Sequence, residues 1–367
     1  MNVVILHAYS RLNSGDGLLV DEAAELVREA FPTADISLVA MAPETFPEFA
    51  SRQNPVGGPS LKMSVPNLVR TLLSGRPHPS VVSLIESADL AVAVGGGYLR
   101  ASSLKGLAKT VISQLSQAPT ASSSTPYVYL PQSIGPFPLF AGLLGIKRLR
   151  HAKAVFVRDD RSLADAKKFG IAAIRMPDLA ALAVASNHTS FRERLTKPSR
   201  PVGIVGRSLG AKNAHYEKAL LSVIRETGGE LLVQSEGRGN NDPSFYTHLG
   251  FDAPWRGLLP ALSSEDQRPE VVLSVRLHGS LQSILAGVPS VHLSYERKGW
   301  GAYDDLGISR YVHNARTFDT ALVLDQLEEL REDPSSFWKS IDGSKPTLLR
   351  AREEISMALK RVGGAKA

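Results

Sequence analysis

The sequence predicts an α/β protein made of two doubly wound domains in tandem, and three observations carry that prediction. Short apolar, β-branched runs alternate with stretches of helical spacing along the chain, the pattern of parallel βαβ units. The length of 367 residues suits two domains of ordinary size, each with its own core. A polar interval over residues 180–200, ending in KPSRP, separates two series of such runs. The domains are accordingly placed at residues 1–190 and 191–367.

Taken in order, VVILHAY (Val3 to Tyr9) is the first strand, and the 3.6-residue spacing of apolar positions predicts a helix from Asp16 to Ala30. ISLVA, LAVAVGGG, YVYLPQ, VFVRDD and AIRMPD continue the strands to Asp178, with the glycine triplet either a tight βα turn or a place where backbone approaches a ligand. SQAPTASSSTP (Ser116 to Pro126) reads as a surface loop by composition. The second series is VGIVGRS, ELLVQS, VVLSVRLHG, SVHLSY and YVHN, and LLRAREEISMALKRV closes the chain as an amphipathic basic helix. That helix is expected to pack back across the domains. Two such domains are expected to hold a ligand in the cleft between them, at the carboxyl ends of the strands.

Composition narrows the chemistry. Hydrophobic residues make up 43% and charged residues 21%, a globular profile. With no cysteine there is no disulfide, no zinc–thiolate site and no thiol nucleophile. No apolar run approaches the ~18 residues of a membrane span. Met1 leads straight into a strand, so no signal peptide is expected, and the cytoplasm is the expected location. The net charge of +6 is spread over scattered Lys and Arg with no aromatic-plus-basic stripe, which argues against nucleic acid. An anionic small substrate, or peripheral contact with an anionic membrane, fits that charge.

The most informative stretch runs from Val271 to Lys298, VVLSVRLHGSLQSILAGVPSVHLSYERK. Its apolar strand delivers Arg276 and His278 to the point where the hydrophobic run ends, with Gly279 and Ser280 expected to open the next helix. Backbone N–H groups at such a junction favour an anion. Arg276 adds a planar fork suited to carboxylate or phosphate. An imidazole such as His278 can carry a proton near neutral pH and give it to a substrate. The competing structural roles are a salt bridge to a loop and a helix cap. Asn13 and Asp16 stand where the first helix begins, so capping competes there with ligand contact. Gly96 and Gly97 can bring backbone close to a ligand. Lys298 follows a strand end within reach of a phosphate, and His7 and His292 lie within strands and are read as structural.

The run RLHGSLQSILAGVPSVHLSYERK resembles the C-terminal signature of the polysaccharide pyruvyltransferases. NSGDG (Asn13 to Gly17), VAVGGGYL, LPQSIGPF (Leu130 to Phe137) and VFVRDDRSL (Val155 to Leu163) fall in that family's order. The resemblance implies two Rossmann-like domains in a GT-B-like arrangement. It also implies transfer of the enolpyruvyl group of phosphoenolpyruvate to a sugar, free or lipid-linked, giving a pyruvate ketal. It maps the donor contacts onto Arg276, Leu277, His278 and Arg158, with Gly279 and Ser280 beside them. Arg158 and Arg276 would meet the two anionic groups of the donor, and His278 would be the acid. Asp159 is weighed as a base against a surface Arg–Asp pair. Phosphoenolpyruvate would be a co-substrate, with no cofactor and no metal: no DxD, HxH or HExxH is present. The alternatives are a GT-B glycosyltransferase using a nucleotide sugar and a non-enzymatic assembly protein. In the former a glutamate is expected where this chain has Gln282; in the latter a decayed site, which Arg158, Arg276 and His278 argue against.

Overall fold

The computed structural model describes residues 1–57, 66, 69, 71, 75–101, 103–136, 146–187, 201–210, 213–237, 240–264 and 266–364. The expected domain boundary at residue 190 and Phe137 of LPQSIGPF lie outside the described residues. The chain divides into two compact units. The first holds Met1–Arg11, Asp16–Leu179 and Arg350–Ala367; the second holds Leu12–Gly15 and Ala180–Leu349.

The first unit contains β1 (Asn2–Ala8), β2 (Asp35–Ala40), β3 (Arg52–Gln53), β4 (Leu90–Ala93), β5 (Gly96–Leu99), β6 (Tyr127–Ile134), β7 (Ala154–Val157) and β8 (Ile174–Arg175). They form one sheet in the order β3-β2-β1-β4-β6-β7-β8, with β5 added onto β6. Every pairing is parallel. Strands covered on both faces need continuous apolar sequence, which is why β1 and β4 carry buried Val4, Leu6, Ala91 and Ala93. The order runs one way from β1 and the other way from β4, so the topological switch lies between their carboxyl ends.

The second unit repeats the plan with β9 (Gly203–Val205), β10 (Glu230–Val233), β13 (Arg256–Gly257), β14 (Val272–Ser274), β15 (Ser290–Ser294) and β16 (Val312–Asn314). Its sheet order is β13-β10-β9-β14-β15-β16, again parallel throughout. A small antiparallel pair, β11 (Glu236–Gly237) and β12 (Asn240–Asn241), stands apart from it. Val205, Leu232, Leu258, Val272 and Val288 make a core cluster of this unit. The switch here lies between β9 and β14.

Several local expectations are corrected. The glycine triplet is not a βα turn: Gly96 opens β5, pairing with Gln132, because a neighbouring strand supplies the hydrogen bonds that glycine's poor strand propensity does not encourage. The helix after β14 spans Leu277–Leu285 with Arg276 at its N-cap position, so Gly279 and Ser280 lie inside it. Ser116–Ala118 is buried, unlike the exposed residues 121–124 of the same Ser-rich segment. Gln117 explains the difference, since its side-chain oxygen accepts the His7 N–H at 3.1 Å. The C-terminal helix spans Ser335–Gly364 and contains Pro346. In the first unit its Arg352 bonds Glu29 at 2.6 Å and Glu22 at 3.2 Å.

Candidate functional site

In the second unit the site is built on the carboxyl ends of β9, β10 and β14. Arg276, 5% exposed, turns its guanidinium onto Asp242. Nε donates to the two carboxylate oxygens at 2.8 and 3.1 Å, and Nη2 also donates to Oδ1. Asp242 is fully buried and further accepts the backbone N–H groups of Gln234 at 3.0 Å and Ser235 at 2.9 Å. Burial pushes its carboxyl above the ordinary value, against the opposing pull of Arg276. Asp242 thus fixes the arginine and the end of β10 together.

His278 is the second residue of the helix Leu277–Leu285 and is partly buried. The segment Leu12–Gly15, which belongs to this unit, lies against it. A Cβ on Gly15 would stand 2.6 Å from the His278 Cβ and 2.7 Å from Nδ1, so only glycine permits the approach. Asn13 caps the first helix, accepting the Gly15 N–H at 3.2 Å, and also accepts Gln234 Nε2 at 3.2 Å. Gln282 exchanges two bonds with Ser14: its Oε1 accepts the Ser14 hydroxyl at 2.8 Å, and its Nε2 donates to the Ser14 carbonyl at 3.0 Å. The structure therefore gathers Asn13, Arg276 and His278 around one strand end. Leu277 and Ser280 are buried within the helix, and Ser280 Oγ stands 3.2 Å from His292 Nδ1. Gly279 faces inward, toward Gln234 and Ser274. Burial lowers the His292 pKa to about 3, and its Nδ1 lies 2.8 Å from the Ser274 carbonyl, so it is a neutral core group. Lys298 pairs with Glu296 at 3.2 Å.

In the first unit, Arg158 follows β7 and is 3% exposed. Nη1 donates to Asp178 and Nε to Ser133 Oγ at 3.1 Å, while Nη2 is buried with no hydrogen-bond partner among the described residues. A Cβ on Gly97 would lie 3.2 Å from that Nη2, so the glycine leaves the space over it open. Asp159 does not form the expected surface pair. It caps the helix Asp160–Lys168 by accepting the Ser162 N–H at 2.8 Å, and it accepts the Ser133 hydroxyl at 2.7 Å. Gln132 was not singled out from the sequence, although it sits in LPQSIGP. It is fully buried and neither of its amide atoms has a partner among the described residues. Asp16 lies in the first turn of the helix Ser14–Ala30, within this unit.

At the switch point of this unit, His7 at the end of β1 holds φ +68°, the one positive φ at a non-glycine position among the described residues. It stacks on Tyr98 of the GGGYL segment with 4.8 Å between ring centroids, and its Nδ1 lies 3.0 Å from Gln114 Oε1. Burial lowers its pKa to about 4, so it is neutral at physiological pH.

Two parallel, doubly wound units with cations at their strand ends define a pair of Rossmann-like folds. Solved structures agree on the fold. The chain is 11% identical to the UDP-GlcNAc 2-epimerase from Neisseria meningitidis, with a TM-score of 0.50 over 96% of this chain and 99% of that one. It is 12% identical to a UDP-glucosyltransferase from Polygonum tinctorium, with a TM-score of 0.50 over 98% of each chain. No curated protein sequence matches it significantly. The family profile of the polysaccharide pyruvyl transferases matches residues 13–253, and the chain belongs to that family. It is therefore an enzyme, a transferase of polysaccharide biosynthesis. The matched span takes in NSGDG, GGGYL, LPQSIGPF and VFVRDD, and ends ahead of Arg276. Among the described residues no helix is long and apolar enough to cross a membrane.

Proposed function

We propose that the protein transfers the enolpyruvyl group of phosphoenolpyruvate to a sugar of a cell-surface polysaccharide or its precursor, forming a pyruvate ketal and releasing phosphate. The observation that carries this reading is the fixed presentation of Arg276 and His278 at the switch point of the second unit, braced by Asp242 and by Gly15. The donor is a dianionic phosphate and a carboxylate on one small carbon skeleton, and cations at a strand end suit both groups.

In the proposed reaction His278 gives a proton to the methylene carbon, which becomes the methyl group. One sugar hydroxyl adds to the cationic carbon and loses its proton. The carbon–oxygen bond to phosphate then breaks, and phosphate leaves with a proton. A second hydroxyl adds to the resulting cation and loses its own proton, which closes the ketal. In the second unit Arg276 holds an anionic group of the donor, with Leu277, Gly279, Ser280, Asn13 and Lys298 shaping its surroundings; in the first unit Arg158, Gly96, Gly97 and Asp16 are the proposed substrate contacts. Proton transfer and electrostatic holding require neither metal nor cofactor. The acceptor is a saccharide, free or lipid-linked, and the reaction belongs in the cytoplasm or at the inner face of the membrane.

A nucleotide-sugar donor is less well supported: both amide atoms of Gln282 are engaged by Ser14 rather than free for a ribose. Thermal shift decides between the donors. A ligand at a hundred times its Kd should add about 2.7 kcal/mol of stability. Phosphoenolpyruvate should protect and UDP-sugars should not; the opposite result overturns the reading. The acid role is tested in D2O, where wild type should exchange the methylene protons of phosphoenolpyruvate. His278→Gln should still bind the donor but not exchange it, and wild-type exchange by that variant would remove the assignment.

A further inference from the structure

We infer that Arg207 is a further substrate-binding residue, the contact for the donor's phosphate group, an assignment that rests on the pyruvyl-donor reading. Val205 of β9 and Ser274 of β14 are register partners in the parallel sheet. Arg207 and Arg276 each lie two residues beyond that pair, on adjacent strands about 4.8 Å apart. Those two strands flank the topological switch, where open α/β sheets bind their ligands.

The two arginines are not equivalent in what they have to offer. Arg276 is buried, with Nε and Nη2 turned onto Asp242. Arg207 is partly exposed, and its partners orient it without neutralising it. Its guanidinium lies 4.8 Å from the centre of the Tyr295 ring, and Nη1 donates to the Tyr295 hydroxyl at 2.5 Å. Nε donates to the Ser208 carbonyl at 3.4 Å. Among the described residues Nη2 has no hydrogen-bond partner, and the guanidinium has no carboxylate. A stacked, aimed cation with one uncommitted edge suits a single-sided contact to a phosphate better than a two-toothed grip on a carboxylate.

The test measures phosphoenolpyruvate binding by calorimetry, with inorganic phosphate as competitor, for wild type, Arg207→Gln and Arg207→Lys. Arg207→Gln should weaken phosphoenolpyruvate at least tenfold, and Arg207→Lys, which keeps the charge, should weaken it less. Phosphate should compete in wild type and lose its effect in the glutamine variant. The unliganded melting temperature should stay unchanged in the lysine variant, which keeps the comparison valid if glutamine disturbs folding. Wild-type affinity in both variants overturns the assignment while leaving the donor reading intact. Weakened donor binding with undiminished competition by phosphate overturns the phosphate assignment, as does phosphate that fails to compete in wild type. Wild-type protein that does not bind phosphoenolpyruvate overturns the donor reading and this assignment with it.

Discussion

Asp242→Ala should be among the most damaging single substitutions in the second unit. The carboxylate is fully buried, holds two guanidinium nitrogens of Arg276 and accepts two backbone N–H groups. Removing it takes a buried carboxylate partner from a nearly buried arginine, and breaking such a pair costs about 3–5 kcal/mol. The orphaned amides of Gln234 and Ser235 add to that, though not independently. A loss of about 4 kcal/mol would consume much of a typical domain's 5–15 kcal/mol. With a urea slope of about 2 kcal/mol/M the midpoint should fall by about 2 M. The assay is clean because the three tryptophans, Trp255, Trp300 and Trp338, all belong to the second unit, so their fluorescence reports its unfolding alone. Adding Arg276→Met should restore part of the loss, since the buried charge that Asp242 compensates is then gone. A loss under about 1 kcal/mol, or a double variant whose losses simply add, would refute the pairing as the source of stability.

Three further outcomes are expected. Arg276→Lys keeps the charge but not the planar fork, and charge-assisted bonds of this kind are worth about 1.5–3 kcal/mol. It should cost at least tenfold in kcat/KM with unchanged circular dichroism; near-normal turnover would remove Arg276 from the donor site. Activity should survive EDTA, and loss that magnesium or manganese restores would point to a different donor class. Glu22, 5% exposed, has its pKa raised to about 7 by burial, in spite of Arg352. The native state therefore holds a proton that the unfolded chain has released, so this contribution is present below the ordinary carboxylate pKa and is lost as pH rises through about 7. Glu22→Gln should flatten the fall in melting temperature between pH 5 and 8, and a slope equal to wild type would show that Glu22 does not titrate there.

The parallel architecture was legible because doubly covered strands must be continuously apolar, and VVILHA, LAVA and SVHLS announce themselves. Arg276 and His278 were legible for the same reason: a polar pair ending an apolar run marks a strand's carboxyl end. The same rule applied to VGIVGRS would have found Arg207, whose GRS ending reads as an ordinary turn. Asp242 was out of reach. It lies 34 residues before its arginine, in an NDPSF segment that reads as plain helix capping, and only the sheet order brings the two together. The helix start was misjudged because Gly279 and Ser280 are the residue types that caps favour, whereas Arg276 takes the cap position with no side-chain capping bond.

The same device occurs once in each unit. Arg158 follows β7 and Arg276 follows β14, each nearly buried, each paired with an almost inaccessible aspartate, Asp178 or Asp242. A buried ion pair is a poor way to gain stability, because desolvating both charges offsets most of their attraction. What such a pair does provide is a guanidinium whose rotamer is already chosen. A free arginine would lose up to about 2 kcal/mol of side-chain entropy on being ordered by a ligand, and these two have lost it on folding. The aspartates also lower the net charge of each site, so an arriving anion meets a fixed dipolar group instead of a bare cation. On this argument neither arginine supplies the main long-range attraction for a donor carrying several negative charges. On the proposal made above, that falls to Arg207, which has no carboxylate partner among the described residues. Arg207→Gln should therefore flatten the salt dependence of donor association, whereas variants at Arg158 and Arg276 should act chiefly on the bound geometry.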